Sequence, residues 1–434
     1  MTVCVVGLGK IGLPLALQVA GAGQRVIGAD RDPRVVSQVL ESREPFPGEP
    51  GLAERLSDAV KAGLLTATTD TAAAVSESSV VIVVVPLVIG ADFTPDFGAL
   101  DAATSDVARG LRPGTLVSYE TTLPLGTTRG RLAPRLAAES GLEHGRQFAV
   151  CHSPERVSSG RVFADLRRYP KLVGGLDEAG GNRAVEFYAS VLQFDERPDL
   201  ARPNGVWDLG SAEAAELAKL AETTYRNLNI AFANELAMIA DRAGIDLREV
   251  ILASNSQPYS HIHQPGIAVG GHCIPVYPHF LLSGFPDARL IETALDLNRR
   301  MPGYAAEMLS EMLGGLEGAS VAVLGATYRG GVKESAFSGV FPVVDSLHAL
   351  GATVTVHDPL YSDDELRQLG LEPHHRGSPA DGAVVQSDHD EYRTWSSADI
   401  PGVRAVLDGR GILDPCLWKG VHLRRIGGGR ETLN

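Results

Sequence analysis

Residues 2 to 12 read TVCVVGLGKIG: a short apolar strand, the glycine pattern G-x-G-x-x-G, and then a helical stretch from Leu13 to Gly21. In this strand–turn–helix setting Gly7 makes the tight turn, and Gly9 lets a pyrophosphate approach the backbone. Gly12 lets the helix pack closely, and the N-terminus of that helix faces the phosphates. The stretch therefore predicts a dinucleotide-binding, doubly wound α/β domain at the start of the chain.

The second strand indicates which dinucleotide is bound. It runs from Arg25 to Ala29 and ends at Asp30, near the position where an acid receives the ribose hydroxyls of the adenosine. A carboxylate repels a 2′-phosphate, which favours NAD over NADP. Arg31 lies beside this acid and keeps NADP open as the alternative.

Two later apolar stretches, 80–85 and 116–119, have the composition of central parallel strands. Ligands of a doubly wound sheet lie beyond the carboxyl ends of its strands, which places the residues after these stretches beside the cofactor. We therefore expect cofactor contacts from Gly7, Gly9, Lys10, Ile11, Gly12, Asp30, Arg31, Pro86 and Thr121.

Composition limits the class of protein. A chain of 434 residues is too long for one core and suits two or three domains, and 44% hydrophobic residues are ordinary for a globular protein. The net charge of −14 argues against a nucleic-acid partner but does not exclude a phosphate-bearing ligand. The longest apolar run, residues 80–90, is too short to span a bilayer, so no membrane partner is expected.

The cysteines indicate the compartment. Cys4, Cys151, Cys273 and Cys416 are far apart in the sequence and form no C-x-x-C pair. Neither a disulfide framework nor a zinc cluster is indicated. We therefore expect no metal and a reducing, cytoplasmic location.

A nearly uninterrupted helical pattern runs from Ser211 to Ala243. Its apolar residues occupy more than one stripe, so the helix must be covered on several sides, as a spine between domains or between subunits is. One polar face carries residues at intervals of three and four: Lys219, Thr223, Arg226 and Asn227. Such a face is commonly just solvated, and that alternative stays open.

Residues 266 to 279 read GIAVGGHCIPVYPH, a stretch with few large side chains. Gly270 and Gly271 permit unusual backbone conformations and close approach, and prolines fix the turn beyond them. This loop favours the presentation of one thiol, that of Cys273. The alternative is that Cys273 is one more small buried residue, as free cysteines commonly are.

The last part of the chain predicts a second α/β domain, because short strands alternate there with helical stretches. The expected strands are 321–325, 353–358, 383–386 and 405–408. Gly325 opens the stretch ATYRGGVK, where glycines and cationic side chains suit a second phosphate group. The predicted fold class is α/β, with two Rossmann-like doubly wound domains joined by a long central helix.

Together these motifs resemble the nucleotide-sugar 6-dehydrogenases, which include the UDP-glucose, GDP-mannose and UDP-N-acetylmannosamine dehydrogenases. The shared stretches span nearly the whole chain: 7–12, 120–128, SPER at 153–156, 215–236, GGHCIP at 270–275 and SDHDEY at 387–392. The SPER and GGHCIP spellings look more like the branch that acts on UDP-N-acetyl-hexosamines. The resemblance implies an NAD-binding domain at 1–205, a central helical and dimerisation region with the thiol loop at 206–316, and a UDP-sugar-binding domain at 317–434.

The resemblance also implies a reaction, in which the C6 alcohol of the sugar is oxidised to a carboxylate with two NAD per turnover. The thiolate of Cys273 would hold the aldehyde as a thiohemiacetal, whose oxidation gives a thioester that water cleaves. Lys219 would stabilise the oxyanions, and Glu155 would act as general base while Thr122 positions water. A solvated carboxylate is the simpler alternative for Glu155. Substrate contacts are implied for Arg156, Asn227, Tyr259, Gly270, Gly271, Tyr328 and Arg329.

The chain departs from the family pattern where sugar and water are handled. Tyr277 replaces an aspartate that helps to activate water, and Thr223 replaces an asparagine. Tyr259 and Ala336 stand where the family has arginines. His279, two residues beyond Tyr277, is a possible substitute base.

These departures leave alternatives open. The leading prediction is complete oxidation of a UDP-sugar by an NAD-dependent enzyme that forms a homodimer. The alternatives are a two-electron oxidation, slow hydrolysis of the thioester, or a nucleotide-sugar-binding protein that has lost turnover.

Overall fold

The glycine-rich stretch that opens the chain folds as strand β1 (Thr2–Val6), a tight turn, and helix α1 (Gly12–Gly21). Strand β1 is fully covered from Val3 onward because it is apolar on both faces. The structure is a computed structural model that describes residues 1–90, 92–158 and 160–429. It divides into two compact units, Met1–Glu222 and the chain from Thr223 onward.

The first unit is built on a sheet that is parallel except at one pair. Its further strands are β2 (Arg25–Ala29), β3 (Leu65–Thr68), β4 (Val80–Val83), β5 (Val88–Ile89), β6 (Pro95–Asp96), β7 (Leu116–Tyr119), β8 (Ala149–His152), β9 (Lys171–Gly175) and β10 (Val206–Asp208). The order is β10-β9-β8-β7-β4-β1-β2-β3, and β5 pairs separately with β6. Strand β9 runs antiparallel to β8, whereas the other neighbouring strands described in this sheet run parallel to each other.

The order of this sheet locates its ligand crevice. Strands β2 and β3 extend the sheet on one side of β1, and β4 and β7 extend it on the other. The direction of winding therefore reverses between β1 and β4, and the crevice outside their carboxyl ends is where open α/β sheets bind ligands. The G-x-G-x-x-G turn follows β1 directly and stands at this crevice.

Helices cover the sheet of the first unit. They are α2 (Pro33–Leu40), α3 (Leu52–Lys61), α4 (Thr71–Ser76), α5 (Gly98–Gly110), α6 (Ala133–Ser140), α7 (Val162–Arg168) and α8 (Glu178–Val191), with a π-helical turn at Thr128–Leu132. Apolar side chains of α1, α2, α3, α7 and α8 and one face of the central strands form a core that includes Val5, Leu13 and Ile82.

A single helix, α9 (Ala212–Ala243), contains the boundary between the two units. Its bounds differ by one residue from the prediction. Several large apolar side chains of α9 are nevertheless exposed, namely those of Leu217, Tyr225, Phe232 and Ile239.

The second unit contains an all-parallel sheet. Its strands are β11 (Ser320–Leu324), β12 (Thr353–His357), β13 (Gly382–Val385), β14 (Ala405–Asp408) and β15 (His422–Arg425), in the order β12-β11-β13-β14-β15. Its helices are α10 (Leu247–Ser254), α11 (Tyr277–Gly284), α12 (Arg289–Leu313), α13 (Val340–Ala349) and α14 (Asp363–Gln368), with 3-10 turns at Asp390–Thr394, Ser397–Asp399 and Pro415–Leu417.

The predicted fold class is confirmed, because both units are Rossmann-like α/β folds. Five strands, β3, β5, β6, β10 and β15, were not predicted. Strands β5 and β6 have two residues each and β10 has three, while β3 reads LTAT and β15 reads HLRR, so none shows a long apolar run. Strands β3, β10 and β15 lie at sheet edges, where partial exposure permits polar residues.

Within the part of the chain that the structure describes, no helix combines the length and the apolar composition needed to cross a bilayer.

Candidate active site

The glycine turn after β1 has the geometry that a bound pyrophosphate requires. Gly7 adopts φ +95°, a conformation that residues with a side chain rarely occupy. A Cβ on Gly12 would lie 1.9 Å from the carbonyl oxygen of Gly7, so α1 can approach the turn only with glycine there. A Cβ on Gly9 would meet no atom within 4 Å, which leaves space in front of the helix N-terminus. These residues fit a dinucleotide cofactor.

Asp30 is fixed beside this turn. One carboxylate oxygen accepts a hydrogen bond from the backbone N–H of Leu8 at 2.8 Å, and the other accepts one from the N–H of Asp32 at 2.9 Å. The end of β2 is thereby tied to the glycine turn. Each carboxylate oxygen keeps a further lone pair for a ribose hydroxyl.

The other expected cofactor residues also lie at the carboxyl ends of the strands. The hydroxyl of Thr121 donates to the carbonyl oxygen of Val85 at 2.6 Å and joins the segments that follow β7 and β4. Ile11 packs against the core of the first unit. The side chains that are exposed at this edge are those of Lys10, Arg31 and Pro86.

A buried group of charges lies beside β7 and β9 in the first unit. The ammonium of Lys171 donates to Glu120 at 2.7 Å and also contacts the carboxylate of Glu155. Glu120 accepts a further hydrogen bond from the hydroxyl of Tyr188, which lies 2.8 Å from the hydroxyl of Ser118. The side chain of Glu155 is only 10% exposed, so the alternative of a solvated carboxylate is wrong.

Burial and neighbouring charges shift the pKa values of these groups in different directions. Burial raises the pKa of Glu120 well above its usual range, and the ammonium of Lys171 opposes that shift only in part. Burial acts to raise the pKa of Glu155 as well, but Lys171 and the neighbouring carboxyl outweigh it and lower that pKa. Burial acts to lower the pKa of Lys171, but the two carboxyl groups outweigh it and raise that pKa. Glu155 is therefore the carboxyl that stays ionised.

His152 is a second buried titratable group beside this network. Both of its ring nitrogens are buried, and neither meets the geometry of a hydrogen bond. Burial, assisted by the charge of Lys171, lowers the pKa of His152 to about 3. The ring is therefore neutral and takes no part in proton transfer near pH 7.

Lys219 lies near Glu155 in the first unit. Its ammonium is buried, lies 3.3 Å from the carboxylate of Glu222, and helps to lower the pKa of Glu155. Glu222 also binds the guanidinium of Arg156 at 2.8 Å. Glu155, Arg156 and Lys219 are thus brought together, and the alternative that Lys219 lies on a merely solvated face is wrong.

The loop that carries Thr122 is anchored to the first turns of α9. Thr122 itself is buried. The fully buried carboxylate of Glu216 accepts hydrogen bonds from the N–H of Gly126 and from both the N–H and the hydroxyl of Thr128. Because Glu216 precedes Lys219 by three residues, the same stretch of α9 fixes the loop and carries the lysine.

Cys273 is exposed in the second unit, at the N-terminal side of α11. Its carbonyl oxygen accepts hydrogen bonds from the N–H groups of Val276 at 3.2 Å and Tyr277 at 2.9 Å. The thiol therefore precedes the helix by one turn. The alternative that Cys273 is a small buried residue is wrong.

Residues of the C-terminal α/β domain support the thiol loop. A Cβ on Gly270 would lie 2.7 Å from the carbonyl oxygen of Phe337 and 2.8 Å from the Cβ of Tyr328. Gly271 adopts φ +89°, which strains any residue with a side chain, and a Cβ there would crowd the ring of Tyr328 at 3.1 Å. The N–H of Gly271 also donates to the carbonyl oxygen of Ala336 at 3.2 Å. The paired glycines let the loop lie flat on this surface.

Asparagine side chains of the second unit fasten the loop on both sides of Cys273. The amide of Asn227 donates to the carbonyl oxygen of Ile274 at 3.3 Å, and Asn234 accepts a hydrogen bond from the N–H of Gly266 at 2.9 Å. Asn298 links the two asparagines, because it accepts from Asn234 and donates to the carbonyl oxygen of Asn227. The side-chain amide of Asn227 therefore positions the loop.

The positions that depart from the family pattern have different surroundings. Thr223 is buried, the ring of Tyr277 packs on Phe280 at a centroid distance of 5.4 Å, and Tyr259 is 92% exposed. Burial lowers the pKa of His279, assisted by the charge of Arg299, so this half-buried imidazole is neutral near pH 7.

A cavity of about 210 Å³ in the second unit was not predicted. It is lined by the arginines Arg248, Arg410 and Arg425 and by Gln264 and Pro265 from the segment before the thiol loop. Arg410 donates to the carbonyl oxygens of Gln386 at 2.6 Å and Tyr328 at 3.4 Å, and burial lowers its pKa. Arg410 follows the predicted strand 405–408 by two residues. Because ligands of α/β sheets bind beyond the carboxyl ends of strands, this position could have indicated Arg410 as a binding residue.

The remaining predicted substrate residue, Arg329, is exposed and lies 5.6 Å from the centre of the Tyr328 ring. Across residues 1–90, 92–158 and 160–429, no group of three or more His, Cys, Asp or Glu is placed to hold a metal ion.

Comparison with known proteins gives three consecutive matches to one family. The chain matches the UDP-glucose/GDP-mannose dehydrogenase family in its NAD binding domain at residues 1–192, its central domain at 213–300 and its UDP binding domain at 322–415.

Individual relatives match over nearly their full length. The UDP-N-acetyl-D-mannosamine dehydrogenase of Pyrococcus horikoshii is 34% identical, over 95% of this chain and 96% of the relative. The NDP-N-acetyl-D-galactosaminuronic acid dehydrogenase of Ralstonia solanacearum is 31% identical, over 95% of this chain and 96% of the relative. The solved structure of the UDP-D-ManNAc dehydrogenase from Pyrococcus horikoshii is 32% identical, with a TM-score of 0.87 over 99% of this chain and 100% of that one.

Proposed function

The chain belongs to the UDP-glucose/GDP-mannose dehydrogenase family, and from that premise we propose that it oxidises the C6 alcohol of a UDP-N-acetyl-hexosamine to a carboxylate. It is an NAD-dependent nucleotide-sugar dehydrogenase. The choice of an N-acetylated sugar rests on the names of the two relatives, both of which refer to N-acetylated hexosamine derivatives. The exposed thiol of Cys273, on a loop with no side chains at 270 and 271, is the observation that carries the proposal.

The first unit supplies the groups that hold the cofactor. The turn formed by Gly7, Gly9 and Gly12 receives the pyrophosphate, and the carboxylate of Asp30 receives the ribose hydroxyls. NAD held by these residues would supply the hydride acceptor for each oxidation. Lys10, Ile11, Arg31, Pro86 and Thr121 are proposed to complete this site.

The two oxidations require a covalent intermediate, which we assign to Cys273. In the first oxidation the C6 carbon loses a hydride and its hydroxyl loses a proton to solvent. The thiolate then adds to the C6 aldehyde: the C–S bond forms, the C=O π bond breaks, and the oxygen takes up a proton to give a thiohemiacetal. The second oxidation converts this adduct into a thioester. Water then attacks the thioester carbonyl, so that a C–O bond forms, the C–S bond breaks, and the thiolate is regenerated.

Three residues of the first unit are proposed to assist these steps. The ammonium of Lys219 stabilises negative charge on the C6 oxygen, which a buried cation does well in a site with little water. Glu155 receives a proton from the attacking water, and its lowered pKa keeps it ionised for that task. Thr122 positions the water.

Tyr277 favours a second possible outcome, in which the reaction stops after one oxidation or releases the acid slowly. A phenol at the position of the family's aspartate does not assist water attack at neutral pH. His279, neutral because burial lowers its pKa, is the proposed substitute. If neither replaces the aspartate, the enzyme stops after two electrons or releases acid slowly.

The nucleotide sugar is proposed to bind around the thiol loop and the arginine-lined cavity of the second unit. Gly270, Gly271 and Tyr328 form the surface around the thiol, and Arg410 faces the cavity of about 210 Å³ that suits part of a nucleotide. The other proposed contacts are Arg156, Thr223, Asn227, Tyr259 and Arg329.

We also propose a homodimer formed through the region 206–316. Tyr225, Phe232 and Ile239 recur every seven residues on one face of α9 and are 53%, 50% and 57% exposed. A contiguous apolar stripe of this kind marks an association surface. Because Cys273 must remain a thiol, a reducing cytoplasmic location is part of the same proposal.

A panel of UDP- and GDP-sugars with NAD tests the function. Each reaction is followed by NADH absorbance and product mass. Two NADH and one uronic acid per UDP-N-acetyl-hexosamine would support the proposal. One NADH with an aldehyde product would establish the two-electron outcome, and binding without NADH would indicate a binding protein.

A further inference from the structure

The buried charges around Lys171 do not balance. The ammonium of Lys171 lies 2.7 Å from Glu120 and also contacts Glu155. The exposed fractions of the three side chains are 4%, 0% and 10%. Two carboxylates would then share one ammonium, because the next cation, Lys219, is itself paired with Glu222 at 3.3 Å, and burying an incompletely compensated charge is costly.

One shared proton removes this imbalance. Two carboxyl groups that share a site cannot both ionise easily, so one keeps its proton. Here the backbone also holds them close, since the N–H of Glu155 donates to the carbonyl oxygen of Glu120 at 3.3 Å. With one proton on the pair, Lys171 faces a single negative charge.

The surroundings decide which carboxyl carries the proton. Glu120 is fully covered and lies against the hydroxyl of Tyr188 on α8. Glu155 is slightly exposed and feels a second cation, Lys219 on α9. Facing the pair from β8 are Cys151, with its pKa raised by burial, and the neutral ring of His152. The complete burial of Glu120 and the cation near Glu155 place the negative charge on Glu155, whereas the neutral Cys151 and His152 favour neither carboxyl.

We infer that Glu120 and Glu155 form one carboxyl pair in which Glu120 holds a proton, so that Glu155 stands as the carboxylate that receives the proton of the attacking water. This inference rests on the proposed hydrolytic role of Glu155. Before water attack the pair carries one proton; after it the pair carries two, and the second leaves to solvent. Glu120 is a positioning residue, because it acts through Glu155.

Infrared spectroscopy of the intact enzyme without substrate tests the inference directly. At pH 7 the parent should show the carbonyl band of a protonated carboxylic acid, and the band should shift in D₂O. Glu120→Gln and Glu155→Gln should both lose it, because either change leaves Lys171 with a single carboxylate partner. Glu222→Gln is the matched control: Glu222 binds Arg156 with no second carboxylate beside it, so the band should remain.

Tyr188→Phe shows which member carries the proton. The Tyr188 hydroxyl binds Glu120 and not Glu155, so its removal should shift the band if Glu120 is protonated. An unshifted band in Tyr188→Phe, or no acid band in the parent, would overturn the inference. This variant keeps the ring and its packing, so the test does not depend on whether a charge variant folds.

The pH profile of acid formation gives a second readout. Glu155→Gln should lower acid formation by about 100- to 10,000-fold, the usual contribution of a general base. The parent profile should have two inflections. Glu120→Gln should keep the lower one and lose the higher one, because the higher one belongs to Glu120. A uniform loss of rate with an unchanged profile would show a structural role only. If the parent makes no acid, the proposed function fails; if it makes acid but lacks the infrared band, the inference fails alone.

Discussion

Two adjacent glycines decide where the thiol of Cys273 can stand. A Cβ on Gly270 would clash with Tyr328 and with the carbonyl oxygen of Phe337, and one on Gly271 would be strained at φ +89° and crowd the Tyr328 ring. A side chain at either position would lift the loop off this surface and move the thiol with it. Reactivity at Cys273 is therefore tied to packing in the C-terminal domain.

Gly271→Ala tests this link. The substitution combines a strained φ of +89° with a contact to the Tyr328 ring, and such strain costs about 1 to 3 kcal/mol. We expect a lower free energy of unfolding, measured with urea, and a lower rate of acid formation. Gly284→Ala in α11 is the control, since its Cβ would meet no atom within 4 Å. Equal rates in the two variants would contradict the explanation.

Cys273→Ser tests the covalent step. An alcohol is a much weaker nucleophile than a thiolate, so no acid should accumulate, while NAD affinity should match the parent. Product mass and a calorimetric NAD titration check the two statements. Cys416→Ser changes the other exposed thiol and serves as the control. Acid yields equal to the parent from Cys273→Ser would remove the thioester from the mechanism.

His152 makes the first unit sensitive to acid. Its pKa is lowered to about 3 in the folded protein, whereas an unfolded histidine titrates near 6.5. Between these values the unfolded chain binds a proton that the folded chain does not, so stability falls as the pH decreases below 6.5. The loss by pH 4.5 should be about 3 kcal/mol.

His152→Leu removes this titration and should show a smaller loss between pH 7.5 and pH 4.5 in urea unfolding. His348→Leu, at an exposed position on α13, is the control and should behave like the parent. The same pH dependence in His152→Leu and the parent would refute the role of burial.

At this scale the sequence predicted single residues better than their partners. Asp30 and Cys273 stand in local patterns whose chemistry can be inferred from neighbours in the chain. Lys171 and Tyr188 do not, because they reach Glu120 only through the pairing of distant elements. The antiparallel entry of β9 beside β8 puts Lys171 at the end of β7, and no local sequence signal specifies it.

Among the elements, helix α9 holds the loop that follows β7 in the first unit. Its residue Glu216 binds the loop after β7 through the N–H groups of Gly126 and Thr128 and the hydroxyl of Thr128. The neighbouring Glu213 instead forms a partly exposed pair with Arg129. The two glutamates lie one turn apart and differ mainly in burial.

Glu216→Gln and Glu213→Gln form a matched pair. The first leaves buried donors facing an amide nitrogen, and hydrogen bonds to a charged group contribute about 1.5 to 3 kcal/mol. The second breaks a surface ion pair, which is worth at most about 1 kcal/mol. We expect a clearly lower urea midpoint for Glu216→Gln only, and equal midpoints would contradict the anchoring role.

The elements themselves were predictable where they were long or buried. The helical pattern of α9 gave its bounds to within one residue, and the apolar strands of both sheets were found. Edge strands β3, β10 and β15 were not found, because a strand with one solvated side need not be apolar. Buried elements show a run or pattern of apolar residues that can be recognised in the sequence. Half-exposed elements lack this pattern and are therefore missed.

At the scale of the whole molecule, the exposed apolar face of α9 predicts that two copies of the protein associate. Phe232→Glu places a charge in the middle of the stripe Tyr225, Phe232 and Ile239, and burying that charge in an interface is costly. We expect light scattering at micromolar concentration to give a dimer for the parent and a monomer for the variant. Leu40→Glu makes the same change at an exposed apolar residue of α2 and should leave the dimer intact. A monomeric parent would remove this interface from the proposal.

The surface beneath the thiol loop also sets an order of events during synthesis. The loop rests on Tyr328 and Phe337, which leave the ribosome up to 64 residues after Cys273. At translation rates of about 5 to 20 residues per second, the nascent thiol waits about 3 to 13 s for its support. Until then the loop that carries Cys273 lacks the surface that fixes its position, and any ribosomal pausing within this interval lengthens the time before the thiol is held in place.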